Sequence, residues 1–170
     1  PVIDGSLDDP AWQNAEILED IFLTHYPAYG SLFTPKTKIM MSYDADNLYF
    51  AFYCYDDQPE RIKTSITKHD GIGGDDWVGF FLYMNGTKQS MYQFIVNPSG
   101  IQADMIYTAT GGENMSPDWV WYSSGKIVKD GYIVEVQLPL KNFRFKDGKD
   151  VAMHILFRRT SNRLGNIGTW

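Results

Sequence analysis

The chain is poor in several things, and each shortage closes off a class of protein. It has 1 cysteine in 170 residues, which excludes an intramolecular disulfide and a multi-cysteine zinc site. No apolar run approaches the roughly 20 residues of a membrane-spanning helix, so direct insertion of this domain into a membrane is not expected. Basic residues are outnumbered, 15 Lys and Arg against 21 Asp and Glu, for a net charge of −6. A nucleic-acid partner, whose phosphates call for a basic surface, is therefore not expected. Alanine and leucine, the strongest helix formers, are sparse. There is no internal repeat, no low-complexity tract and no linker long enough to divide the chain. Residues 1–170 are thus expected to be a single domain, excised from a longer chain.

What is plentiful points to strands. Hydrophobic residues make up 44% and charged residues 21%, the balance of a globular chain. Aromatic residues reach 15%, with 15 Gly and 8 Pro to punctuate them. Many aromatics and many turn residues suit short strands joined by tight turns. The pattern predicts strands at Ile17–Leu23, Thr37–Tyr43, Leu48–Tyr55, Asp76–Met84, Tyr92–Val96, Ile101–Tyr107, Val120–Val128, Tyr132–Leu138 and Val151–Arg158. The turn chemistry between them is explicit: Asp44-Ala45-Asp46-Asn47, Asn85-Gly86, Asn97-Pro98-Ser99-Gly100 and Lys129-Asp130-Gly131. Short helical turns are expected at Pro10, near Pro59–Ile62 and at Pro139–Phe143. Trp12 is expected to anchor the lead-in segment to the body. Residues 25–35, 56–74 and 108–118 and the tail beyond Thr160 read as loops. Eight or nine strands in consecutive hairpins predict an all-β, antiparallel β-sandwich.

Strand alternation then sorts the side chains by face. Val78, Phe80, Leu82 and Met84 read as core, leaving Trp77, Gly79, Phe81 and Tyr83 on the other face. Likewise Met91, Gln93, Ile95 and Asn97 share a face, as do Ile133, Glu135 and Gln137, and as do His154 and Arg158. Faces that mix aromatics with Gln, Asn, Glu and Arg have what a sugar needs: flat rings for its C–H surfaces and fixed donors and acceptors for its hydroxyls. The same residues also suit a solvated or partly covered sheet. Asp56, Asp57, Asp75 and Asp76 are oxygen ligands of the kind calcium takes. Asp44 and Asp46, lacking the remainder of a calcium-binding loop, read as a turn. Cys54, within an apolar strand, reads as a small core residue.

A run of motifs in a fixed order adds to this: IDGSLDDPAW, YDADNLYFAFYCYD, GDDWVGFFLY, YQFIVNPSGIQAD, the VWYSSGKI and DGYIVEVQLPL pair, and FRR. The chain resembles the carbohydrate-binding module family 9-like domain over essentially its whole length. It is most similar to a subgroup found at the N-terminus of larger bacterial envelope proteins. The resemblance implies a jelly-roll-like sandwich, sugar binding, structural calcium, and a secreted, periplasmic or outer-membrane-associated location. In better-known members two tryptophans sandwich a terminal sugar while Glu, Arg and Asn bond its hydroxyls. Here Asn97 matches that Asn and Trp170 aligns with the second tryptophan. The Glu position falls on Gly79 and the Arg position on Ile95. The first sandwiching tryptophan falls within residues 71–74, which hold none.

The expected function is non-catalytic carbohydrate binding within a larger protein. The candidate sugar contacts are Trp77, Gln93, Asn97, Trp119, Trp121, Gln137, Arg158 and Trp170. Asp56, Asp57, Asp75 and Asp76 are the candidate calcium ligands. The rival reading is a structural domain that docks on the remainder of its parent polypeptide, since aromatics are also enriched at protein interfaces. A glycosidase is disfavoured because Asp75 and Asp76, adjacent on a strand, point to opposite faces. A haem-binding sandwich using Met with His25, His69 or His154 is less favoured still.

Overall fold

The computed structural model describes residues 1–19, 22–84, 90–143 and 152–170, and all structural statements below concern these. Among them the chain forms twelve strands, one short helix and two single 3₁₀ turns. The strands are β1 (Glu16–Leu18), β2 (Leu23–Tyr26), β3 (Thr37–Tyr43), β4 (Asn47–Tyr55), β5 (Trp77–Met84) and β6 (Ser90–Val96). They continue as β7 (Gln102–Thr108), β8 (Gly112–Asn114), β9 (Tyr122–Val128), β10 (Gly131–Pro139), β11 (Met153–Ser161) and β12 (Asn166–Thr169). Helix α1 spans Pro10–Gln13. The 3₁₀ turns lie at Pro59–Arg61 and Leu140–Asn142, where turns were expected.

Two antiparallel sheets face each other. One has five strands in the order β1-β3-β4-β10-β9, and the other seven in the order β2-β12-β11-β5-β6-β7-β8. The expected single strand at Ile17–Leu23 is two strands: β1 joins the five-stranded sheet and β2 the seven-stranded one. The chain thus changes sheets there, which a hydrophobicity pattern alone does not reveal. Strands β8 and β12 were read as loop. Both are short and polar, and they form by pairing with a neighbouring strand rather than by burying a face of their own. The Asn85-Gly86 turn lies outside the described residues.

The alternation read from the sequence sets the core. Phe50, Phe52, Cys54, Phe80, Leu82, Phe94, Val134, Val136, Leu138 and Phe157 fill the space between the sheets. Phe50 stacks on Phe80 at 4.2 Å and Phe80 on Phe94 at 5.3 Å between centroids. Each such buried side chain stabilises the fold by roughly 1.5–3 kcal/mol. Arg159 points into this interior and bridges the sheets, donating to the carbonyl oxygens of Lys36 (2.9 Å) and Tyr55 (2.8 Å).

The lead-in segment covers the outer side of the five-stranded sheet. Trp12 packs on Met40, Tyr49 and Ala51, as the expected anchor does. The buried Glu135 carboxylate holds it there. Its Oε2 accepts the amides of Asp4 (3.0 Å), Gly5 (2.6 Å) and Ser6 (3.2 Å), and its Oε1 accepts the Trp12 indole N–H (2.7 Å). One sheet is therefore clothed by the protein's own N-terminus. The outer side of the other sheet is only partly covered, and that difference positions the site.

Candidate functional site

Strand register places the outward residues of the seven-stranded sheet in rows, because directly opposed residues in antiparallel strands share a face. One row runs Thr169, Arg158, Gly79, Ile95, Ala103. The next runs Leu156, Phe81, Gln93, Met105. The third runs His154, Tyr83, Met91, Tyr107, Glu113. Thr160 stands opposite Trp77 at the near end. Phe81, Ile95 and Ala103 are buried, sealed by Ile72 from the loop between the 3₁₀ turn and β5. Trp77, Met91, Met105 and Leu156 are only partly buried, so an apolar and aromatic layer remains part-open to water.

Arg158 is the polar centre of this layer. Its guanidinium lies 4.8 Å from the centroid of Phe81, a cation–π arrangement. Its Nε has no hydrogen-bond partner, and neither do the hydroxyls of Thr160 and Thr169 beside it. Burial lowers the Arg158 pKa, while Tyr83 and Glu113 favour its charged form. Buried polar groups in folded proteins are normally paired. An arginine held on an aromatic face beside the partly buried Trp77 and Tyr83 is suited to bind a polar, ring-shaped molecule.

A glycine between aromatics on a strand can leave room for something to approach the backbone, but at Gly79 β6 already fills that space. A Cβ there would collide with the Phe94 carbonyl oxygen. The glycine serves close strand packing, not a ligand.

The expected sugar contacts divide five ways. Trp77, Gln93 and Arg158 share the outer face, although Gln93 is nearly closed over, at 4% exposed. Asn97 is at the end of the same strand face but is fully enclosed. Its Nδ2 donates to the Ser65 carbonyl oxygen and to Asp75 (both 2.8 Å), and its Oδ1 accepts the amides of Ser99 and Ile101. It fastens the covering loop to the β6–β7 turn, so its hydrogen-bonding capacity is spent on the fold.

Trp119 and Trp121 lie on the opposite, inner side of β6. Trp119 packs edge-on against Tyr92 and Phe94, and Trp121 against Phe94. Trp121 is buried, with its indole N–H donating to Asp104 at 2.7 Å. Trp77, Trp119 and Trp121 therefore do not form one aromatic site: they straddle a strand. Gln137 belongs to the other sheet, where it donates to Asn47 (3.1 Å) and lines a concavity of about 480 Å³ with Pro1, Gln102 and Tyr122. Trp170 ends the chain beside β11, with its ring 5.9 Å from that of Phe157.

The four aspartates expected to ligate calcium do not assemble a cation cage. Asp56 and Asp57 both accept from Arg163 at 2.7 Å, so a cationic side chain already faces them. Asp75 accepts from the Ser65 amide, the Ser65 hydroxyl and Asn97. Asp76 accepts the amides of Lys63 (3.0 Å) and Asn162 (2.5 Å). Buried carboxylates filled by backbone donors are loop anchors, which spacing in the sequence cannot distinguish from ligands.

Thr160 and Thr169 were missed by sequence reading, as was Ile72 as a cover. The only signal was the alternation of Thr160 with Arg158. Ile72 lies in a stretch whose path no periodicity gives.

Comparison with known proteins follows this geometry. The family model described as carbohydrate family 9 binding domain-like matches residues 3–166. A Bacteroides uniformis protein, described provisionally as carbohydrate-binding, superposes with a TM-score of 0.68 at 12% identity, over 93% of this chain and 78% of that one. A carbohydrate binding module family 9 of Caldicellulosiruptor kristjanssonii, in complex with cellotriose, superposes with a TM-score of 0.60 at 18% identity, over 99% of this chain and 78% of that one. At such identities the likeness is one of fold. No curated protein matches significantly in sequence.

Proposed function

The chain belongs to the carbohydrate family 9 binding domain-like family, and from that premise we propose that it binds a poly- or oligosaccharide, without catalysis, on the outer face of its seven-stranded sheet. The observation that carries this reading is the partly open layer of Trp77, Tyr83, Met91, Met105 and Leu156 around Arg158. Sugar rings would stack on the aromatic and apolar surface, and Arg158 would fix their orientation through a hydroxyl. The structural neighbour in complex with cellotriose supports a glycan as the ligand class. With Gly79 and Ile95 at the positions where the resemblance expects Glu and Arg, the contacts of the better-known members are not reproduced. The ligand would lie along an open platform, not in a sandwich of two tryptophans.

Aromatic stacking on a flat ring is worth roughly 1–3 kcal/mol, and a sugar supplies no more than a base does. Binding in the micromolar-to-millimolar range is expected. The parent context belongs to the same proposal: a domain of a larger secreted, periplasmic or outer-membrane-associated protein, as the resemblance implies.

Affinity electrophoresis in cellulose- and xylan-type polysaccharides tests this reading. Retardation that is lost in Trp77→Ala and Arg158→Ala, both folded by circular dichroism, supports it. Absence of retardation by any glycan favours the second reading, in which the same apolar layer docks on the remainder of the parent polypeptide. That reading draws on the same half-buried methionines, since Met is enriched at protein interfaces.

A further inference from the structure

The outer rows of the seven-stranded sheet continue past Arg158 to the edge strand. Thr160 opposes Ile167, and Ile167 opposes Tyr26, so Trp77, Thr160, Ile167 and Tyr26 form one row across β5, β11, β12 and β2. The neighbouring row carries Arg158, Thr169 and Leu23, and Leu32 extends it through a bridge to Leu23. Gly168 fixes the inner side, because a Cβ there would collide with the buried Phe33 ring. Ile167 and Thr169, on either side of it, therefore point outward.

Tyr26 reaches its row only through a β-bulge. Gly168 opposes Thr24 whereas Ile167 opposes Tyr26, so His25 is the extra residue. In unbroken register Ile167 would face His25, and Tyr26 would turn inward with the buried Thr24. Bulges recur where a strand re-aims a side chain beside a functional site. The outcome here is a tyrosine that is 59% exposed, with Leu23 and Leu32 exposed beside it. Single apolar residues on a surface are ordinary, but three that meet on adjoining strands, in line with the partly buried Trp77, make a patch. The covering loop sets the direction in which a ligand extends. Ile72 closes the face over Phe81, Ile95 and Ala103, on β5, β6 and β7. A ligand on Trp77 runs the other way, over β11 and β12 toward β2.

Resting on the glycan reading of this face, we propose that the site takes a single, soluble, linear chain of at least four sugars, lying across the strands from Trp77 to Tyr26. Neighbouring strands are spaced by about 4.8 Å, so the three steps from β5 to β2 separate the two rings by about 14 Å. An extended chain of equatorially linked pyranoses advances by nearly the strand spacing, about 5 Å per sugar, so each strand underlies one sugar. Trp77 and Tyr26 stack on the end units, and Arg158 faces the units between them. Sheet twist turns each strand from the last by about 20–25°, roughly 60–75° over three steps. The row is therefore a staircase. A free chain follows it by rotating about its linkages, and the flat face of a crystalline polysaccharide does not.

Titration of the purified chain with the di-, tetra- and hexasaccharides of the cello and xylo series tests this, read at the Trp77 indole N–H by NMR. Affinity is expected to rise from disaccharide to tetrasaccharide by at least about fivefold, the effect of one more stacked ring, and then to level off. Tyr26→Ala, at an exposed position, should keep its Tm and bring the ratio of tetrasaccharide to disaccharide affinity to about one, and Tyr26→Phe should restore the ratio. Crystalline cellulose should not retain the protein in a pull-down, and retention there would overturn the single-chain assignment. Affinity independent of length, or a length gain that survives in Tyr26→Ala, overturns the extended site while a responding Trp77 leaves the glycan reading standing. A Trp77 signal that answers no oligosaccharide of any length overturns both.

Discussion

Replacing Glu135 by Gln is the sharpest perturbation the fold offers, because it changes the charge and one lone-pair site and almost nothing else. The carboxylate is a pure acceptor serving four N–H donors, three backbone amides and the Trp12 indole. A glutamine has one acceptor oxygen and one NH₂ group. If its oxygen faces the three amides, its NH₂ faces the indole N–H, and the reverse orientation is worse. At least one hydrogen bond to a charged acceptor is lost, at roughly 1.5–3 kcal/mol, with a donor left facing a donor. Against this, burial raises the Glu135 pKa despite those four donors, so a neutral residue recovers part of a desolvation cost. The expected net loss is about 2–4 kcal/mol, or roughly 4–16 °C in Tm for a chain of this size. Urea unfolding followed by circular dichroism measures it, and limited proteolysis should show residues 1–15 cleaved first. A Glu135→Gln protein within about 0.5 kcal/mol of the parent, with a protected N-terminus, would refute the claim that this carboxylate clasps the lead-in segment.

Two further outcomes follow. Trp121→Ala should cost about 3–5 kcal/mol, as loss of a large core side chain does, while glycan retardation of the surviving folded fraction is unchanged. Lost binding at unchanged stability would put Trp121 back on a sugar site. Burial raises the pKa of the enclosed Asp104 carboxylate, so Asp104→Asn should gain stability relative to the parent as pH rises from about 4 to 7. A carboxylate whose folded pKa is raised contributes stability that is present below its unfolded pKa and lost as pH rises through the folded one. A flat or opposite difference curve from parallel urea titrations would contradict the direction given for Asp104.

The sandwich was legible because its strongest signals are local. Asx and Gly turns bracket β-rich runs, and alternation on β5 and β10 separates core from surface without any knowledge of the fold. The paired Asp44 and Asp46 are a turn as read, with Asp44 accepting the amides of Asp46 and Asn47 at 2.8 Å. Cys54 is buried as expected. The sheet switch between β1 and β2 and the pairing of β8 and β12 were not legible, since both depend on partners distant in sequence. The candidate site was legible in part for the same reason. Alternation placed Trp77, Gln93 and Arg158 on one face correctly. It does not say that Trp119 and Trp121 enter the sandwich from the other side of β6, nor that loop 62–76 encloses Asn97 and consumes Asp75. Aromatic residues and carboxylates look the same in a sequence whether they face water or a backbone amide.

The central claim, that a glycan lies on the outer face of the seven-stranded sheet, is tested most directly by following the five tryptophan indole N–H signals by NMR during titration with a soluble cello- or xylo-oligosaccharide. The account predicts that the Trp77 signal moves in a saturable way, while those of Trp12 and Trp121, each bonded to a buried carboxylate, stay in place. A stationary Trp77 signal while Trp170, or groups beside Gln137, respond would contradict it.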